Sequence, residues 1–268
     1  MTGMGASLGR IGALILRYVY LFKGSWPRTL ELAYWPTVQL VIWGFITQHF
    51  LGSSAWLAQA SGVLVTAVIL WDVLFRGQLG YSISFLEELW SRNLGHLFVS
   101  PLRPWEFMAA LTVVSLLRTL VGVLPAALLA GPLFGASVWD TGLPLVAFFG
   151  NLMLLGWALG MAITGLILRV GLGAESIAWA AIFILAPISA VYYPVDVLPS
   201  WLQSIAWALP PAYVFEGMRA VLFGEGFRLD LFLMALGLNA IYLTAGACIF
   251  LWNFRAARIE GRLLQMGE

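Results

Sequence analysis

Long apolar runs alternate along this chain with short segments that carry most of its arginines. Six runs reach about the 20 residues a helix needs to cross a hydrocarbon core: 30–51, 57–76, 104–131, 143–168, 175–194 and 229–253. Ahead of them, Leu8, Ile11, Ile15, Tyr18 and Phe22 fall within about 80° of one another on a helical wheel, with Arg10 and Arg17 roughly opposite. Residues 1–26 therefore read as an amphipathic helix lying in the membrane interface; the alternative is a ragged start to the first span. Arg10, Arg17 and Lys23 interrupt the apolar positions and no A-x-A-like site follows, so the segment reads as retained and not as a secretion signal.

Two connecting segments break the alternation. The stretch RGQLGYSISFLEELWSRNLGHLFVSPLRP, which begins at Arg76, is too polar to span and is expected at a surface. Within it, 84–100 has helical spacing and should stop before Pro101, with Phe85, Leu89 and Trp90 on an apolar side and Glu87, Glu88, Arg92 and His96 on a charged one. Such a helix offers a soluble partner a grip, or else it is a solvated loop helix. The second segment, VYYPVDVLPSWLQSIAWALPP from Val191, is apolar, yet Pro194, Pro199, Pro210 and Pro211 forbid one straight span. A re-entrant hairpin over 194–223, sheltered by neighbouring helices or a second subunit, fits the pattern; an amphipathic loop lying flat is the other reading.

Composition removes the soluble alternative. Hydrophobic residues make up 61% of the 268 and charged residues 10%, against about a quarter charged in soluble domains. The expectation is an all-α integral membrane protein forming one transmembrane domain over 1–268. A net charge of +1 supplies no basic field for nucleic acid, but the distribution of charge orients the chain. With both termini inside, the inner segments hold Arg10, Arg17, Lys23, Arg28, Arg76, Arg92, Arg103, Arg169, Arg255, Arg258 and Arg262, while the outer ones hold Arg219 and Arg228.

Soluble-enzyme chemistry finds no footing. The one lysine, Lys23, is not followed by Ser or Thr, so there is no phosphate-binding loop and no cofactor site is expected in this chain. His49 and His96 are expected on opposite sides of the membrane with no third ligand beside either, so no metal site is expected. The single cysteine, Cys248, lies in an apolar run and reads as packing.

A few charges need explaining. Counted from Pro104, Arg118 lies roughly 21 Å into its span, where it either lines a translocation path and attracts an anionic group or pairs with an acidic residue. Glu31 and Asp72, taken to lie near the inner ends of the first and second spans, either reach the interface or serve a proton relay. Glu216 and Arg219 are three apart and should pair on one helix face, holding the outer hairpin against the sixth span. Trp26, Trp35, Trp105, Trp56, Trp139, Trp201 and Trp207 cluster at expected interfaces as an aromatic belt, or alternatively line a lateral opening.

The order of elements, the acidic segment running into LFVSPLRPWEF, and YYPVDVLPSWLQSIAWALPPAYVFEGMR together resemble the permease subunits of type-2 ABC exporters. The outer element is the more specific, with Pro194, Leu198, Pro199, Trp201, Leu202, Ile205, Ala206, Pro210, Tyr213 and Arg219 at the matching positions. The chain departs from the commonest pattern at WALPPAYVF, where many members carry Asn-Pro-Leu-Thr-Tyr. The resemblance implies two permease copies and two ATP-binding cassette subunits that hold ATP and magnesium, in a bacterial-type cytoplasmic (inner) membrane. It makes 84–100 the coupling helix, with Glu87, Glu88, Arg92 and His96 as contacts, and the whole an exporter of an amphipathic or lipid-linked molecule. A secondary carrier and a non-transporting scaffold are the competing classes; no internal repeat with matching broken spans supports the carrier.

Overall fold

A computed structural model describes residues 4–51, 55–135, 138–171, 173 and 175–261, and every element among them is helical. The order is α1 (Met4–Lys23), α2 (Trp26–Leu51), α3 (Ala55–Trp90), α4 (Leu94–Val99), α5 (Pro104–Phe134), α6 (Pro144–Val170), α7 (Glu175–Ile188), α8 (Ser200–Trp207), α9 (Pro210–Leu222) and α10 (Leu229–Ile259), with single 3-10 turns at Val138–Thr141 and Val195–Val197. Among the described residues four helical stretches are long and apolar enough to cross a membrane: Gly62–Trp90, Pro104–Phe134, Pro144–Val170 and Leu229–Ile259. Helix α7 is apolar but only 14 residues long. Arg262 and the side chain of Trp56 lie outside the described residues.

The helices start and stop where backbone chemistry requires. Pro104, Pro144 and Pro210 open their helices, where the missing N–H costs nothing, and Gly135 ends α5 in the left-handed conformation, φ 66°. The largest departure from the sequence pattern is α3, which runs unbroken to Trp90, so that the expected helix over 84–100 does not form as one piece. Its polar residues are turned into protein: Gln78, Ser82, Ser84 and Glu88 are all buried. Gln78 Nε2 donates to Ser82 Oγ, Ser84 Oγ to the Gly80 carbonyl, and Ser115 Oγ of α5 to the Gly77 carbonyl. Polarity in this segment therefore marks contact with neighbouring helices, not contact with water.

Helix α6 is the spine, packed against α3 on one side and α10 on the other. Close approach is permitted by glycine: a Cβ on Gly246 of α10 would sit 2.3 Å from the Ala158 carbonyl oxygen of α6. Nearby, Asn239 Nδ2 donates to the Asn151 side-chain oxygen at 2.8 Å, tying α10 to α6 across a buried seam. Among the described residues the two larger cores lie one around Leu70, Leu74, Leu152 and Phe215 and one around Tyr81, Phe85, Phe107 and Phe250, with a smaller cluster around Val195, Leu198 and Ala206. The second sits at the arginine-rich end of the bundle, called the basic end below, where it supports the first candidate site.

Candidate functional site

At the basic end the chain makes a short excursion. After Trp90, Arg92 takes a positive φ of 53° and the Asn93 N–H returns to the Glu88 carbonyl, which turns the chain into α4. That six-residue helix stops before Pro101, and α5 begins with the Arg103 N–H donating to Glu106 Oε2 at 2.9 Å. Leu94 is buried, whereas His96, Val99, Ser100 and Arg103 are exposed, with Val99 open over 84% of its surface. The result is a small protruding face of apolar and basic character, flanked by the half-exposed Trp90 and Trp105.

Helix α1 fastens both roots of this excursion. Arg17 donates to Glu88 Oε1 at 2.6 Å on the α3 side, and Arg10 Nε donates to Glu106 Oε2 at 2.9 Å on the α5 side. Tyr18, fully buried, donates to the Ser84 carbonyl at 3.0 Å, and burial among these acidic neighbours raises its phenol pKa. Glu88 and Glu106 are 1% and 0% exposed, so each carboxylate depends on its arginine: removing one partner strands a buried charge.

This arrangement corrects two expectations. Arg10 and Arg17 are not a solvent-facing stripe, because both turn toward buried carboxylates. Glu88 cannot serve as a surface contact, since its oxygens are taken by Arg17 and by Asn93 Nδ2 at 2.6 Å. Glu87 is occupied too: Arg118 Nη2 donates to its Oε2 at 2.7 Å, with Arg28 at 3.9 Å on the other oxygen. Of the four expected contact residues, only Arg92 and His96 lie on the exposed excursion.

Arg118 thus sits in a structural pair, with the Phe22 ring 4.7 Å from its guanidinium carbon. Arg118 lies roughly 21 Å along α5 from Pro104 and roughly 24 Å from Phe134, inside the candidate span.

At the opposite end, the proline-rich segment forms a compact clasp. Pro194 precedes a 3-10 turn, Pro199 caps α8 and Pro210 opens α9. Glu216 Oε1 accepts the Val195 N–H at 2.7 Å and Arg219 Nη2 at 2.9 Å. Arg219 also donates to the carbonyls of Ala190 and Val191, at 3.1 and 3.4 Å. Ala190 has a φ of 51°, so the two side chains satisfy backbone that no helix can satisfy. The pair expected from spacing exists, but it grips the chain leaving α7; Tyr242, donating to the Ala208 carbonyl, supplies the link to α10. Trp207 and Tyr213 meet edge to face at 4.8 Å, and Trp201 points outward, 66% exposed.

A third feature was misplaced by the sequence. With α3 continuous, Asp72 lies roughly 22 Å along the helix from Glu87 and Arg76 roughly 16 Å, so both are at membrane depth and not beside an inner loop. Each such charge costs about 2.5 to 3.5 kcal/mol on insertion scales. Both are more than nine-tenths buried. The Arg76 side chain crosses Gly122 of α5, where a Cβ would meet its Cδ and Nε at 2.9 Å and the Leu32 carbonyl oxygen of α2 at 2.8 Å. Pro36, four residues on, cannot give that carbonyl its helical hydrogen bond.

The comparison with known families bears on all three features. The family described as ABC-2 type transporter matches residues 12–223, from α1 through the clasp. The chain belongs to that family. It is therefore a permease subunit of a type-2 ABC transporter, a multi-pass membrane protein that is not itself the catalytic component. No curated protein matches the chain. Within this ABC-2 permease, the matched region takes in the α4 excursion, the Arg219–Glu216 clasp and the α3 charges. Sequence spacing found the first two. The Arg17–Glu88 and Arg10–Glu106 pairs span 71 and 96 residues, and no local periodicity announces them.

Proposed function

We propose that this ABC-2 permease is the membrane half of an ATP-driven exporter, working as two copies with two ATP-binding cassette subunits that hold ATP and magnesium. The observation that carries the reading is the α4 excursion, a protruding helix whose two roots are each ion-paired to the same interfacial helix. Force applied to α4 would reach α3 and α5 together, because Arg17 and Arg10 couple those roots through α1. The docking contacts are then Arg92, His96 and Val99, with Glu87 and Glu88 as internal struts.

In this reading the basic end faces the cytoplasm, as the arginine bias requires, with both termini inside a bacterial-type inner membrane. Six spans cross it, α2 and α7 joining the four longest helices, and the clasp re-enters from the outer side. Half-exposed aromatics on α7, Trp179 at 42% and Phe183 at 63%, supply an apolar wall for an amphipathic or lipid-linked substrate. Closure of the nucleotide-bound partner pushes α4, narrows the inner side and releases that substrate outward past the clasp.

The test is co-purification with a candidate ATP-binding cassette subunit, followed by an ATPase assay of the complex. A double variant, His96→Glu with Val99→Asp, alters only exposed positions and should lose at least tenfold in partner retention while remaining monodisperse. Full retention by that variant would place docking elsewhere, and failure of the wild type to bind any such subunit would overturn the ATP-driven reading.

A further inference from the structure

Asp72 and Arg76 stand apart from the other charges described inside the bundle. Glu87, Glu88, Glu106 and Arg219 all have ion-pair or hydrogen-bond partners, yet the Asp72 carboxylate, 7% exposed, accepts no hydrogen bond among the described residues. The charge facing it is Arg76, one turn further along α3 and also influenced by Glu31. Among the described residues these two do not form an ion pair, and Arg76 Nε has no hydrogen-bond partner. Arg76 also lies within electrostatic reach of the exposed Glu31 of α2, and its side chain is turned across Gly122 toward α2. The Asp72 carboxylate is left at membrane depth with no donor among the described residues bonded to it.

Its surroundings are aromatic. Tyr192, at the start of the clasp, is within electrostatic reach of Asp72 and stacks on Trp43 of α2 at 4.8 Å. Phe75, three residues from Asp72 on the same side of α3, meets Trp179 and Phe183 of α7 at 6.2 and 6.0 Å. A carboxylate among ring faces suits an apolar cation, which gains from the charge and from the quadrupoles of the rings. It penalises an anion of the same shape.

We propose that Asp72 is the counter-ion for a cationic amphiphile carried by this permease, with Trp43, Tyr192, Phe75, Trp179 and Phe183 as the apolar walls. The proposal rests on the transport reading and narrows it to a charge class of substrate. Arg76, one turn away, tunes the site through its charge and not through a bond. Tyr192 belongs to the segment that Arg219 grips, so movement of the clasp would uncover or close the site.

The experiment uses the full permease with its ATP-binding partner in nanodiscs, and two probes of matched shape and opposite charge, tetraphenylphosphonium and tetraphenylborate. Binding is read by quenching of tryptophan fluorescence, corrected against empty discs. The wild type should bind the cation specifically, and Asp72→Asn should weaken cation binding at least tenfold without weakening the borate signal. In case that variant does not fold, dicyclohexylcarbodiimide labelling of the wild type, read by mass spectrometry, gives a second measurement: the cation should protect Asp72 and the borate should not. Equal binding of the cation by wild type and Asp72→Asn, or equal protection by both probes, would overturn the proposal. Coupled ATPase activity with no cation selectivity sinks this inference alone, whereas absence of any coupled ATPase sinks the transport reading beneath it.

Discussion

Single residues set the tightest limits on this structure, and one of the sharpest is a glycine. At Gly122 a side chain would collide with the Leu32 carbonyl, which is backbone, as well as with Arg76. Gly122→Val should therefore lower stability by about 1 to 3 kcal/mol, the usual range for overpacking, read as a fall in the thermal midpoint of the detergent-purified protein. The same change should be less damaging with Arg76→Ala, because only part of the clash is then removed; an additive double mutant would show that the two side chains do not compete for the space. Arg219→Met makes a different kind of break. It takes donors from the Ala190 and Val191 carbonyls and leaves Glu216 with the Val195 N–H alone. With charge-assisted bonds worth about 1.5 to 3 kcal/mol each, limited proteolysis after α7 should accelerate in that variant, and an unchanged cleavage pattern would show that the clasp holds by packing alone.

At the scale of elements, what was legible in the sequence is what depends on local periodicity. The apolar lengths of α5, α6 and α10, the proline-bounded helices α8 and α9, and the pairing of Glu216 with Arg219 all follow from residues close together in the chain. The excursion at α4 was expected, but its boundaries were not, because Gln78, Ser82, Ser84 and Glu88 read as surface polarity when each is buried against another helix. That single inversion also displaced Asp72 and Arg76, which seemed to flank an inner loop and lie instead at membrane depth. The partners of Arg10 and Arg17 could not be read locally, since each lies some tens of residues away. Exchange of partners gives a direct test at this scale: Arg17→Glu should destabilise the α1 contact, and the reversal Arg17→Glu with Glu88→Arg should recover part of the loss. Recovery measured by hydrogen exchange at Tyr18 and Ser84 would establish the pair as the fastening; no recovery would assign that role to the Tyr18 hydrogen bond.

For the whole molecule, the ion pairs of α1 and the clasp of α9 occupy opposite ends of α3, which is why this helix carries the argument for coupling. It receives Arg17 through Glu88 at the basic end, packs along α6, and carries Asp72 within electrostatic reach of Tyr192 toward the clasp. A permease of this design should therefore be stiff along α3 and compliant where α7 gives way to the positive φ of Ala190. The proposed orientation, with α4 toward the cytoplasm, can be checked without knowing the substrate. In a background with Cys248→Ser, a cysteine at Val99 and, separately, one at Glu225 should be labelled by an impermeant maleimide from opposite sides of intact cells and inverted vesicles. Val99 should react only in inverted vesicles, and binding of the ATP-binding subunit should then slow its labelling at least tenfold by covering α4. Reaction of Val99 from outside intact cells would invert the molecule and remove α4 from reach of any cytoplasmic partner.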